Sequence, residues 1–192
     1  MNIHILPLGM LQTNCYILFG KDRCLVVDPG EEPEKVLNFL SQHELTLEAI
    51  LLTHGHFDHV GAVKTLAAET DCRVFLCEKD LALPDAMTAG PLYSTDFYSD
   101  GDKLTLAGLT FEVLHTPGHT PGSVCLRFGE HLFSGDTLFA GSCGRTDFPG
   151  SSPADMFRSL RRLSQLEETL KVYPGHGGAT TIGEEKRYNP YL

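Results

Sequence analysis

Four metal-binding side chains, His54, His56, Asp58 and His59, fall within six residues and follow directly on the apolar run EAILL at 48–52. Such a run reads as a buried strand. The cluster therefore occupies a loop at a strand's carboxyl end, where α/β proteins commonly build their sites. Imidazole and carboxylate are ligands for zinc or iron, and two pairs this close can face two adjacent ions without a long connection between them. The chain has nine histidines and no tryptophan.

Three more positions repeat the placement. His119 in HTPGHTPGS, Asp136 in FSGDTLF and His176 in VYPGHGG each stand where an apolar run breaks into a glycine-containing turn. Singly, each reads as a structural histidine or a turn aspartate. Together, strand-end placement lets residues distant in sequence converge on one rim. His115 lacks this pattern and reads as an orienting or packing residue. His4, His43 and His131 read as ordinary surface or core histidines.

Around these loops, apolar runs predict strands at about 2–8, 14–19, 24–28, 48–52 and 73–77, then at about 103–107, 110–114, 123–128, 131–134 and 170–173. Helices are expected at about 33–43, 61–70, 153–166 and 181–188, the first opened by Pro33 and the third by Ser152-Pro153. Segment 84–101 has little periodicity and reads as a loop carrying a rim or lid, whose Tyr93, Phe97 and Tyr98 wall a small pocket or simply pack. Two similar halves of strands and helices predict an α/β fold, a four-layer αββα sandwich. With 192 residues, 42% of them apolar, and no linker, residues 1–192 read as one domain.

A formal charge of −10 argues against nucleic acid or an anionic membrane surface as partner. No apolar run approaches the ~18 residues of a membrane span, and the N-terminus does not read as a signal peptide. A soluble, cytoplasmic protein is expected. Its six cysteines then read as reduced thiols, with Cys72 and Cys77 on opposite faces of a strand and Cys143 a packing residue. No periodic stripe indicates an oligomeric state.

With Asp28 in VVDPG, these motifs resemble the metallo-β-lactamase superfamily over about residues 3–192. Within it the chain is similar to the small glyoxalase II-like (hydroxyacylglutathione hydrolase-like) hydrolases, without their C-terminal helical substrate domain. The resemblance implies one metal held by His54, His56, His119 and Asp136, and a second by Asp58, His59, His176 and the bridging Asp136. Asp28 would lie beneath the site. Zinc is the first expectation, with iron and manganese as alternatives. Two such ions share and acidify a water, so Asp58 and Asp136 are expected to be catalytic with a metal-bridging hydroxide.

Thioester hydrolysis suits a site rich in ligands and poor in spare acids, because a thiolate leaves without a strong general acid. The expected substrate is a small anionic thioester, S-lactoylglutathione or a related hydroxyacyl thioester. Arg145 in GSCGRTDF, Lys186 and Arg187 are candidate contacts for its negative charge, with a salt bridge to Asp147 the other reading of Arg145. The complete Asp58-His59 pair and a bridging aspartate set the chain apart from lactamases with cysteine in the second site. GRTDF and EEKRYNP also resemble the persulfide dioxygenases of the same fold, whose single iron would use His54, His119 and Asp136. A hydrolase of another ester or lactone, or a non-catalytic metal-binding relative, are the other readings.

Overall fold

The computed structural model describes residues 1–192. Its first sheet contains β1 (Asn2–Leu8), β2 (Thr13–Phe19), β3 (Arg23–Val27), β4 (Thr46–Leu51), β5 (Arg73–Leu76) and β6 (Asp96–Phe97), side by side in that order. Strands β1 to β3 are antiparallel, and β3 to β6 run parallel. The second sheet begins with the meander β7 (Lys103–Leu106), β8 (Leu109–His115), β9 (Val124–Phe128) and β10 (His131–Gly135). After a small hairpin, β11 (Leu138–Phe139) with β12 (Ser142–Cys143), it is completed by β13 (Lys171–Pro174), parallel to β10, and β14 (Thr180–Thr181).

Covering both faces of a sheet turns strand sequences into continuous apolar runs. In β2, Tyr16 and Leu18 face the second sheet, while Cys15 and Ile17 face the helices α1 (Pro33–Gln42) and α3 (Val63–Thr70). Strand β3 splits the same way, Leu25 and Val27 inward, Cys24 and Val26 toward the helices. Phe111, Val113, Leu126 and Phe133 of the second sheet close the central layer. On the far side, Cys125, Leu132 and Val172 pack under Met156, Leu160 and Leu163 of α5 (Pro153–Leu163) and Ile182 of α6 (Ile182–Tyr188). The result is the expected αββα sandwich, and no helix is long and apolar enough to cross a membrane.

Two expected elements differ. The helix expected at 61–70 begins earlier and in two pieces, α2 (Phe57–Val60) and then α3, so His59 rides on a helical turn rather than a loop. Segment 84–101 contains α4 (Asp85–Thr88) and β6, and Tyr98 is buried in the central layer with its hydroxyl bonded to the Leu52 carbonyl. Tyr93 and Phe97 line two other surface hollows.

Chain direction positions the site. In the first sheet β3, β4 and β5 are parallel, so Asp28, the loop from His54 and the turn after β5 leave the same edge. In the second, β8 and β10 share a direction because each is antiparallel to β9, and β13 is parallel to β10. Their carboxyl ends deliver His119, Asp136 and His176 to one edge as well.

Candidate metal centre

At the meeting of these edges, ligand-capable atoms of His54, His56 and His119 lie within 4.8 Å of one another, as do those of Asp58, His59 and His176. Asp136 sits between the two triads. Its Oδ1 is 3.4 Å from His59 Nε2, and its Oδ2 is 3.5 Å from His119 Nε2 and 3.7 Å from His176 Nε2. His56 Nδ1 and His119 Nε2 approach to 2.8 Å. The structure thus brings together all seven residues expected from the sequence as ligands.

Hydrogen bonds on the outer side of the rings fix which nitrogen faces inward. His119 Nδ1 donates to the Arg145 carbonyl at 2.8 Å, and His176 Nδ1 donates to the Leu11 carbonyl at 3.2 Å. His59 Nδ1 meets Asp28 Oδ2 at 3.0 Å. The Thr53 hydroxyl donates to the same Asp28 oxygen at 2.6 Å, so it accepts from His54 Nδ1, 3.1 Å away. Four imidazoles therefore turn Nε2 inward. A third grouping, Asp28 with His54 and His59, is also compact, but Thr53 and His59 already occupy both Asp28 oxygens.

Asp28 itself lies beneath the centre, buried, with a left-handed φ of 49° that aspartate tolerates better than most residues. Its turn is closed by Gly30, where a Cβ would strike the Asp58 carbonyl, so the Asp28 turn and α2 lie in backbone contact.

These residues fit metal ions. His54 Nε2, His56 Nε2, His59 Nε2 and Asp136 Oδ1 are buried without a hydrogen-bond partner, an arrangement that costs about 1–3 kcal/mol per group unless something binds there. Burial and the imidazoles of His59 and His119 hold His54 well below the ordinary histidine value, and burial and His119 bring His56 down to about 4. Burial lowers His119 too, so this triad offers neutral nitrogens. The second triad is the reverse. Burial pulls His59 down, but Asp136 and Asp28 outweigh it and raise its pKa well above normal. Burial likewise opposes the Asp58 and Asp136 charges, yet His176 and His59 hold Asp58, and His59 holds Asp136, below the usual carboxylate range. Without metal, a proton sits where a divalent ion would displace it. Gly175, just before His176, keeps the space open, since a Cβ there would strike Asp136 Oδ1.

The centre opens into a cavity of about 460 Å³ with apolar walls of Leu11, Phe57, Met87, Phe139 and Phe148. These, rather than Tyr93, Phe97 and Tyr98, are its aromatic and aliphatic walls. Arg145 also lines it. Both readings of that residue coexist: its guanidinium pairs with Asp147 through two bonds of 2.9 and 2.8 Å while lying 4.2 Å over the Phe148 ring. The structure does not bring Lys186 and Arg187 to the cavity. They pair with Glu168, at 3.2 and 3.8 Å, because α6 buries Glu185 and leaves its basic side chains outward. His115 Nε2 bonds the Pro121 carbonyl at 2.9 Å, and Cys143 packs beside the α5 layer.

Several supporting residues gave no signal in the sequence. Thr13 donates to Asp58 Oδ2 at 3.1 Å, and the Asn14 amide donates to the carbonyls of Pro174 and Gly177 at 3.0 and 2.9 Å. Asp80, fully buried, accepts three hydrogen bonds from the two ligand loops. A lone Thr, Asn or Asp beside an apolar run is indistinguishable from a cap or turn residue until its partner is known.

The hydroxyacylglutathione hydrolase GloC of Haemophilus influenzae is 39% identical over 210 residues, covering 100% of this chain and 98% of the relative. The solved structure of BLEG-1 B3 metallo-beta-lactamase superposes with a TM-score of 0.91 at 37% identity, covering 100% of this chain and 99% of that one. TTHA1623 in a di-iron-bound form gives 0.88 at 42%, covering 98% and 100%. ETHE1 from Myxococcus xanthus also gives 0.88, at 30%, covering 99% and 84%. The family model of the metallo-beta-lactamase superfamily matches residues 8–176, and the chain belongs to that superfamily.

Proposed function

We propose that this chain is a cytoplasmic, binuclear metallohydrolase that cleaves a hydroxyacyl thioester of glutathione, with S-lactoylglutathione as the first substrate to test. One observation carries the reading: Asp136 stands within 3.4 Å of His59 and 3.5 Å of His119, so a single carboxylate faces a ligand of each triad. A mononuclear iron oxygenase would need only His54, His119 and Asp136 and would leave the other triad without a use. The likeness to GloC, over the full length of both chains, supports the substrate class, and the di-iron form of TTHA1623 supports a two-metal centre.

Two divalent ions, zinc first and iron or manganese as alternatives, supply a Lewis acid and a water acidified toward neutrality when bound by these residues. Asp58 and Asp136 border the cavity, so their carboxylates orient the attacking water beside the thioester carbonyl. The leaving thiolate, with a pKa near ~8.5, needs no strong acid, and none other than the ligands lines the cavity. Apolar walls exclude water around the acyl group. Arg145 receives the negative charge of the glutathione part once Asp147 yields it.

The test is loss of thioester absorbance when purified protein meets S-lactoylglutathione, with a chelator-treated sample beside it. Turnover that stops without metal and returns with zinc supports the assignment. Metal-loaded protein that is inert toward the thioester but consumes oxygen with glutathione persulfide, or opens a β-lactam, overturns it.

A further inference from the structure

Asp80 lies on the 3₁₀ turn Glu78–Ala82 after β5 and has no exposed surface. Its Oδ2 accepts from the Gly55 amide at 2.8 Å and the Thr120 hydroxyl at 2.9 Å, and its Oδ1 accepts from the Gly122 amide at 2.6 Å. Gly55 lies between His54 and His56, and Thr120 follows His119. One carboxylate therefore joins two loops that leave different sheets. Neighbouring groups are built to it: a Cβ on Gly122 would meet both its Oδ1 and its backbone, and the Thr120 hydroxyl is in turn held by Ser123 at 2.8 Å.

No cation accompanies this carboxylate. Three uncharged donors satisfy it, and burial pushes its pKa up to about 6. An unpaired buried charge is expensive, so a neutral side chain would serve better if the turn needed only a plug. A carboxylate has one advantage at this place. Both its oxygens are acceptors, and the three donors arriving from the two loops require acceptors on both. The Val124 amide bond to the Thr53 carbonyl, at 2.9 Å, ties the roots of the two loops; Asp80 ties them at the level of the ligands.

We infer that Asp80 is a positioning residue that holds the His54/His56 loop against the His119 loop, so that His56 Nδ1 and His119 Nε2 meet before a metal arrives. The inference rests on the reading of His54, His56 and His119 as ligands. Metal affinity then depends on a residue that touches neither metal nor substrate, as it does for hydrogen-bonded supports of other metal ligands.

Asp80→Asn keeps the size of the side chain but turns one oxygen into a donor that faces an N–H or O–H donor. The expected result, read by zinc titration in competition with a chromophoric chelator, is a loss of about 10–100-fold in affinity at the first triad. Thr120→Val, which removes one of the three bonds and keeps the charge, should fall severalfold. Leu66→Ala, a cavity under α3 at a side chain that makes none of the Asp80 hydrogen bonds, should lower the melting temperature while leaving zinc affinity as in the wild type. Cobalt-loaded Asp80→Asn should show shifted d–d bands. Folded Asp80→Asn or Thr120→Val protein with wild-type affinity overturns the inference. Wild-type affinity in His119→Ala would instead overturn the ligand assignment on which it rests.

Discussion

Asp136 has an Oδ1 that is buried and unpartnered and an Oδ2 shared among imidazoles of both triads. Because its carboxylate stands between the two triads, Asp136→Ala should lose both metals rather than one, read as metal per chain after desalting; two retained equivalents would refute its bridging role. Arg145 makes a different prediction. Its bond with Asp147 is solvent-exposed on both sides, and such pairs yield readily to a better partner. Arg145→Ala should raise KM for S-lactoylglutathione about tenfold with kcat little changed, since ground and transition states would lose the same contact. Asp147→Asn, which frees the guanidinium, should lower KM; unchanged kinetics in both would leave Arg145 as half of a surface ion pair. Ligand residues are legible in a sequence because they interrupt apolar runs with groups that rarely stand there. Thr13, Asn14 and Asp80 are not, because ordinary turns contain the same residue types and only their tertiary partners distinguish them.

At the scale of elements, strands were easier to read than what joins them. Runs such as NCYILF and CLVVD are apolar on both faces because helices cover one and the second sheet the other, so their strand character survives without alternation. The start of the helix at α2 is hidden in the sequence because His56, Phe57 and Asp58 read as a ligand loop, and polar ligands mask helical periodicity over a four-residue turn. Aromatic residues in 84–101 were open to two readings for a similar reason: composition does not say which cavity a side chain meets. The β1–β2 connection shows what topology adds. Asn14, at the start of β2, holds the loop of His176 by two carbonyls, and its amide N–H meets the Gly175 carbonyl at 2.7 Å. Asn14→Ala takes the side-chain donor from the Gly177 carbonyl and leaves the Pro174 carbonyl with the Tyr16 hydroxyl alone, which loosens the loop of His176. The expected outcome is one metal per chain instead of two, with the first triad still loaded. Loss of both metals, or of neither, would show that the loop is not set from this strand.

Across the whole molecule, each sheet contributes ligands to both triads or to the pocket between them, so metal binding couples the two halves of the sandwich. His54, His56, Asp58 and His59 come from the first sheet's edge, and His119, Asp136 and His176 from the second's. Ions bound only by the folded chain should add about 4 kcal/mol per site when supplied at about a thousand times Kd, and for a domain of this size each kcal/mol is worth about 2–4 °C in Tm. The pH dependence separates the loaded from the chelated protein. In chelated protein His59 has a raised pKa, with Asp136 and Asp28 outweighing burial; its stabilisation is therefore complete below the unfolded value and is lost as pH rises through the folded one. The lowered carboxylates Asp58 and Asp136 act oppositely, failing only as pH falls through their folded values, well below neutrality. A metal ion has no proton to lose, and its affinity rises as competing protons leave the imidazoles. The Tm difference between zinc-loaded and chelated protein should therefore widen from about pH 6 to about pH 8, measured by calorimetry at fixed free zinc. A difference that stays constant or narrows over that range would mean that the folded centre does not exchange a proton on His59 for a metal ion.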